Sequence, residues 1–228
     1  MATTISSGRA NSPKKLANIA DHGVIYGGRG LVFDGVVDYL KIEDDDTATF
    51  DITSAITISV WIKPTAVSGV QRIVQRHAKY EMFINCANLE CEINNGTAVV
   101  TNTTPITAGA WNFVVFTYDS TTSNGYVNGA LERTQTDESG SINTSGDIYI
   151  GSDQTGGSQL FTGTISDVKI FNTALTLAQI QELYLKPEQS APLAVRDNLV
   201  AWYPMCEGNP DSPQSVVYDM SEKGLGSE

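Results

Sequence analysis

The stretch FTGTISDVKIFNTALTLAQIQELY, residues 161–184, reads as a strand in its first half and as a helix in its second. In the second half Thr176 stands three residues before Gln179, the spacing at which each side chain caps the other's backbone amide. Leu177, Ile180, Leu183 and Tyr184 then share one face, and Pro187 stops the helix. No other segment makes a convincing helix, so whatever precedes it must be built from strands.

The upstream sequence meets that requirement. GLVFDGVVDYLKI (30–42) is strand-like, an acidic turn EDDDTATFD (43–51) follows, and in ITSAITISVWIKP (52–64) Ile56, Ile58, Val60 and Ile62 alternate up to Pro64. QRIVQRH, KYEMFINC, LECEINN, GTAVVTN, AWNFVVFTYD, GYVNGALERTQ and DIYIGSD continue the series, with Gly, Asn, Asp and Ser between them at hairpin distances. Asn128-Gly129 suits a type I′ turn, which needs positive φ at both central residues. Together these segments predict an all-β, antiparallel β-sandwich of jelly-roll type with one short C-terminal capping helix.

Composition narrows the function. Lys and Arg number 14 against 26 Asp and Glu, for a net charge of −12, which argues against nucleic acid as a partner because phosphate backbones need clustered cations. Only 18% of residues are charged while Thr, Ser, Asn and Gly abound, a polar but mostly uncharged surface. The first 23 residues hold no apolar run behind a basic start, as an export signal would, and no span suits membrane insertion. Cys86 and Cys91 bracket a turn and either pair across a hairpin or serve as small apolar residues; with Cys206 they do not make the even framework of a disulfide scaffold.

In order and spacing, GLVFDGVVDYLKI, ITISVWIKP, AWNFVVFTYD, GYVNGAL, DIYIGSD and FTGTISDVKIFNTALTLAQIQELY resemble the laminin G-like (LamG), concanavalin A-like lectin and glucanase jelly roll. The resemblance spans roughly residues 24–186 and implies two curved antiparallel sheets with rim loops that in some members bind glycans and often hold calcium. One departure stands out: family members usually open with a strand similar to LVAWYP and a segment like YDMSEKG, which here come last. The expected organisation is therefore a polar arm (1–23), the LamG-like jelly roll (24–186), a linker (187–197), and residues 198–228, which either begin a second repeat or dock as a strand. The linker and the spacing from helix to Trp202 favour the repeat; either way an apolar strand with unpaired backbone groups must find an edge.

A glycosidase needs two carboxylates about 5 to 10 Å apart; Glu90 and Glu92 alternate on one strand face, but no Glu-x-Asp-x-x-Glu run is present, and they read as a solvated face. His22 and His77 are too few and too isolated for a hydrolytic triad, and no closely spaced Cys/His set suggests zinc. Calcium is the credible cofactor, since hard cations take carboxylate oxygens from several loops, with Asp34, Asp167 and Asp219 as candidate ligands where the related jelly rolls supply them. The run 43–47 is a second cation candidate that more readily reads as a solvated turn. Sugars stack on aromatic faces and bond to Asn and Asp side chains, so with Trp61 and Trp111 assigned to the core the candidate ligand-binding residues are Tyr80, Tyr118, Tyr126, Asn85, Asn94, Asn95, Asn124 and Asp153.

These readings converge on a non-catalytic binding or structural module. The expected setting is an adhesion or decoration domain at the virion surface of a bacteriophage, with surface glycan or other virion or adhesin proteins as partners and self-association into a homo-oligomer as a further contact. The alternative is a secreted, extracellular accessory carbohydrate-binding domain of a larger glycoside hydrolase or adhesin.

Overall fold

The structure, a computed structural model, describes residues 30–44, 49–96, 99–101, 103–154, 157–187, 189, 191–205 and 217–221. The arm 1–23 with His22, residues 45–47 of the acidic run, and Cys206 lie outside the described residues.

Along the chain the strands are β1 (Leu31–Asp34), β2 (Leu40–Ile42), β3 (Ile56–Pro64), β4 (Val70–Arg76), β5 (Tyr80–Asn85), β6 (Asn88–Ile93) and β7 (Val99–Thr101). They continue as β8 (Asn112–Tyr118), β9 (Ser123–Val127), β10 (Ala130–Gln135), β11 (Ile148–Ile150), β12 (Thr162–Phe171) and β13 (Leu199–Tyr203), with the helix α1 (Leu177–Leu185) between the last two. Among the described residues these pair antiparallel into two sheets. One is seven-stranded, β1-β12-β3-β8-β9-β10 with β13 added on β12; the other is six-stranded, β2-β11-β4-β5-β6-β7. This is the jelly-roll sandwich that the strand spacing predicts.

Period-2 alternation fills the space between the sheets. Ile56, Ile58, Val60 and Ile62 of β3 point inward against Met82, Ile84, Leu89 and Cys91 of the facing sheet, all fully buried. Cys91 belongs to this core and Cys86 lies on an exposed turn; both are free thiols.

The seven-stranded sheet is also buried on its outer side. Trp61, Phe113, Val115 and Tyr126 face outward there and are covered by Ile180, Leu183 and Tyr184 of α1. The rings of Trp61, Phe113 and Tyr184 form a mutual stack with centroids 5.2, 5.6 and 5.8 Å apart, each pair worth about 0.5–1.5 kcal/mol beyond its area. The helix starts where the sequence places it: the Thr176 side chain accepts from the Gln179 amide, and Gln179 returns the bond to the Thr176 amide.

The tail occupies the same sheet. β13 pairs with β12 through Val168–Tyr203, Lys169–Trp202 and Ile170–Ala201, so the closing strand docks on this chain's own sandwich. The stretch expected as a linker bends through a 3-10 turn, Leu193–Asn198, that packs Val195 into the helix-side cluster. Since β1 pairs with the other half of β12, Leu31 to Asp34 against Ile165 to Thr162, two short strands lie end to end along one edge.

The Asn128-Gly129 turn joins β9 to β10 with φ of 51° and 78°, as a type I′ turn requires. It also supports α1, because a Cβ on Gly129 would lie 2.9 Å from the Tyr184 ring. Gly129→Ala should therefore cost about 1–2 kcal/mol through backbone strain and displacement of the helix; urea unfolding measures it, and wild-type stability would refute the coupling of turn to helix.

Candidate functional site

The strand register brings together a row of side chains that are far apart in the sequence. On the outer face of the six-stranded sheet, Lys41 of β2 lies opposite Tyr149 of β11, Tyr149 opposite Gln75 of β4, Gln75 opposite Glu81 of β5, and Glu81 opposite Glu92 of β6. Directly opposed residues share a face, and four strand spacings make the row about 19 Å long. A second row beside it runs Arg72, Phe83, Glu90, Val100. Among the described residues no helix covers this face, in contrast to the other sheet.

The middle of the row is deep and polar. Gln75 is 2% exposed and Glu81 3%, and the amide oxygen of Gln75 has no hydrogen-bond partner. Leaving such a buried acceptor unpaired costs about 1–3 kcal/mol. Glu81 is held from three sides: Arg72 Nη1 pairs with Oε2, His77 Nδ1 lies 3.5 Å from Oε1, and the Ala78 amide donates to Oε1 at 3.3 Å. Arg72 in turn lies over the Phe83 ring, 4.4 Å from its centroid, and donates to Gln159. Burial, and then the charge of Glu81 opposite it, hold the Glu92 carboxyl above the usual carboxylate range.

Aromatic rings flank the row at its β2 end. Tyr39 is 42% exposed, and its ring lies 6.0 Å from that of Tyr149 at an interplanar angle of 36°. Lys41 is tied to Asp147 at 3.0 Å and to Glu43 at 3.4 Å, and the Asp147 bond raises its pKa.

The residues singled out from sequence lie elsewhere. Tyr80, Tyr118 and Tyr126 are core residues at 0%, 1% and 5% exposure, and Tyr118 donates to the Gly140 carbonyl at 2.8 Å. None can offer a ring to a sugar, because alternation turned each toward packed neighbours. Asn85 donates to Glu90 at the β5–β6 turn, whereas Asn94 and Asn95 sit at the opposite end of β6, where Asn94 bonds to Ser141 and Asn143. Asn124 pairs with Thr134 on the other sheet, and Asp153 follows β11. They form no common site. Glu90 and Glu92 do share one outward face, half-buried rather than fully solvated.

The three calcium candidates are also apart and already engaged. Asp34 Oδ1 accepts from the amides of Val36, Val37 and Asp38 at 2.8, 2.9 and 3.2 Å, which lowers its pKa. Asp167 is 1% exposed; its Oδ1 receives Lys169 Nζ at 2.5 Å and Trp202 Nε1 at 2.8 Å. Asp219 Oδ1 accepts from the amides of Trp202 and Ser221, capping β13. Asp34 lies opposite Thr162, five residues from Asp167 along β12 or about 16 Å. Among the described residues no three acidic, His or Cys side chains gather as a ligand set, so these donors do not fit a calcium ion. In the acidic run, Asp44 bonds to Arg76 and to the Gly146 amide.

Comparisons with known proteins agree with this architecture. Two antiparallel sheets with an inter-sheet core and one capping helix define a lectin-like jelly roll. A protein-family model, Laminin_G_3, described as the Concanavalin A-like lectin/glucanases superfamily, matches residues 34–181, and the chain belongs to that family. Among solved structures, the chain is similar to a candidate carbohydrate-binding protein of Bacteroides ovatus (TM-score 0.63, 19% identity, 86% of this chain and 57% of that one). It thus spans little more than half of that protein. It is also similar to a heptameric SAP-like pentraxin of Limulus polyphemus (0.53, 19%, 71% and 83%). The CBM40 module of the Ruminococcus gnavus IT-sialidase, bound to α2,3-sialyllactose, matches at 0.49 (16%, 69% and 93%). No curated protein matches the chain.

Two predictions follow from the placement of the aspartates. Asp167→Asn keeps the shape but leaves the Lys169 ammonium buried without its counter-charge, and should cost about 3–5 kcal/mol in denaturant unfolding; a loss below about 1 kcal/mol would show that the pair does not hold β13. If Asp34, Asp167 and Asp219 are not calcium ligands, Asp34→Asn should leave any difference in melting temperature between millimolar calcium and chelator unchanged, and loss of such a difference would return Asp34 to a ligand set.

Proposed function

We propose that the protein is a non-catalytic carbohydrate-binding module whose ligand lies across the outer face of the six-stranded sheet. The observation that carries this is the row from Lys41 to Glu92, whose buried Gln75 acceptor lacks a donor while Tyr39 and Tyr149 supply rings beside it. Sugars offer what such a surface lacks: hydroxyl donors for amide and carboxylate oxygens, and C–H faces for the rings. Membership of a lectin and glucanase superfamily and the likeness to the Bacteroides ovatus protein support the reading. Arg72 clamps Glu81 in place on this face.

In its finer form the proposal places the module on a bacteriophage virion as an adhesion or decoration domain, supported by the acidic, Thr- and Asn-rich and sparsely charged composition. An accessory domain of a larger secreted glycoside hydrolase or adhesin is the alternative. Mass spectrometry of purified particles should recover the chain; its recovery instead within a secreted polypeptide carrying a catalytic domain would select the alternative.

Binding itself is testable on a glycan array followed by calorimetry. Tyr149→Ala, a half-buried position on the open face, should weaken the best ligand about fivefold to tenfold with little change in melting temperature. Unchanged affinity would remove this face as the site.

A further inference from the structure

The charge of this face carries a statement about which glycans it accepts. Both cations on it are committed: Arg72 to Glu81 and Gln159 with its plane on Phe83, and Lys41 to Asp147 and Glu43. Glu90 accepts from Asn85, a neutral donor, and Glu92 lies opposite Glu81, where burial and the Glu81 charge outweigh the charge of Arg72, itself committed to Glu81. A like-charged neighbour and partial burial both disfavour a second carboxylate there, so anything that brings positive charge beside Glu92 relieves two costs together. A ligand carboxylate or sulfate would add to both, since among the described residues of this face it would find no uncommitted Lys or Arg and would have to lose water against Glu90 and Glu92. Two strands from Glu92 along the same row, about 10 Å away with Glu81 between, the buried Gln75 oxygen has no hydrogen-bond donor, a role that a hydroxyl or an ammonium fills and a carboxylate does not.

Resting on the carbohydrate-binding reading above, we propose that the site selects glycans bearing a protonated amine, with the ammonium beside Glu92, takes neutral glycans more weakly, and rejects acidic ones.

Calorimetry on the full chain with three tetrasaccharides tests this: a glucosamine oligomer with free amines, its N-acetylated counterpart, and a galacturonate oligomer. The amine form should bind roughly fivefold or more tighter than the acetylated form, as expected for one added charge-assisted contact, and the galacturonate should not bind. Glu92→Gln should abolish the preference for the amine, so that the amine and acetylated forms bind alike. Glu182→Gln, on the helix of the opposite sheet, serves as a control for general attraction to a chain of net charge −12 and should change nothing. Equal binding of amine and acetylated forms, binding of the galacturonate, or an equal effect of Glu182→Gln overturns the inference and leaves the carbohydrate-binding reading standing. Failure of all three oligomers and of a broad glycan array overturns that reading, and the inference with it.

Discussion

The buried contact of Asp167 with Lys169 and Trp202 holds the two ends of this structure together. Among the described residues β12 is the longest strand and the only one in its sheet with neighbours on both edges and two strands sharing one of them. At Asp167, φ is +52° and the pairing with β3 shifts between Ser166 and Lys169, an extra residue that bends the strand. The bulge turns the Asp167 carboxylate beside the Lys169 ammonium, whose pKa burial lowers, and under the Trp202 indole. Each charge is tolerable in the interior only because the other is present. The Lys169 ammonium also lies 5.2 Å from the Trp202 ring centroid, so the pair is complete only when β13 is in place.

From that edge the two faces of the sandwich diverge. The outer side of the seven-stranded sheet carries Trp61, Phe113 and Tyr126, which must be buried and receive α1 and the turn at residues 193–198. The outer side of the six-stranded sheet carries Lys41, Gln75, Glu81, Glu90 and Glu92 at the corresponding outward positions. Polar residues at those positions do not recruit a helix, and they leave a shaped polar surface free for a ligand. The helix thus covers one outer face, and among the described residues the other stays uncovered.

Much of the fold was legible because it rests on local chemistry. Alternation in β3, the Asn128-Gly129 turn and the Thr176–Gln179 capping box each depend on residues within a few positions of one another. Even the bulge left a trace, for Ile165 and Val168 both point inward three residues apart where a regular strand would need two. The site was not legible in the same way. Tyr80, Tyr118 and Tyr126 are the candidates that remain once Trp61 and Trp111 are assigned to the core, and only packing across the sheets shows that they are core as well. Lys41, Tyr149, Gln75 and Glu81 carry no motif, since they meet through the order of the strands rather than through spacing along the chain.

By itself the sequence determined the class of fold, the one helix with its cap, the hairpin at Asn128-Gly129 and an acidic, uncharged-polar surface, all of which follow from short-range periodicity, turn chemistry and composition. Tertiary structure alone decided that the closing strand docks on β12, that the three candidate calcium aspartates are spent on amides, a lysine and an indole, and that five residues from five strands form one row. Strand order and register are set by the simultaneous packing of both sheets, a constraint that no local stretch of the chain contains.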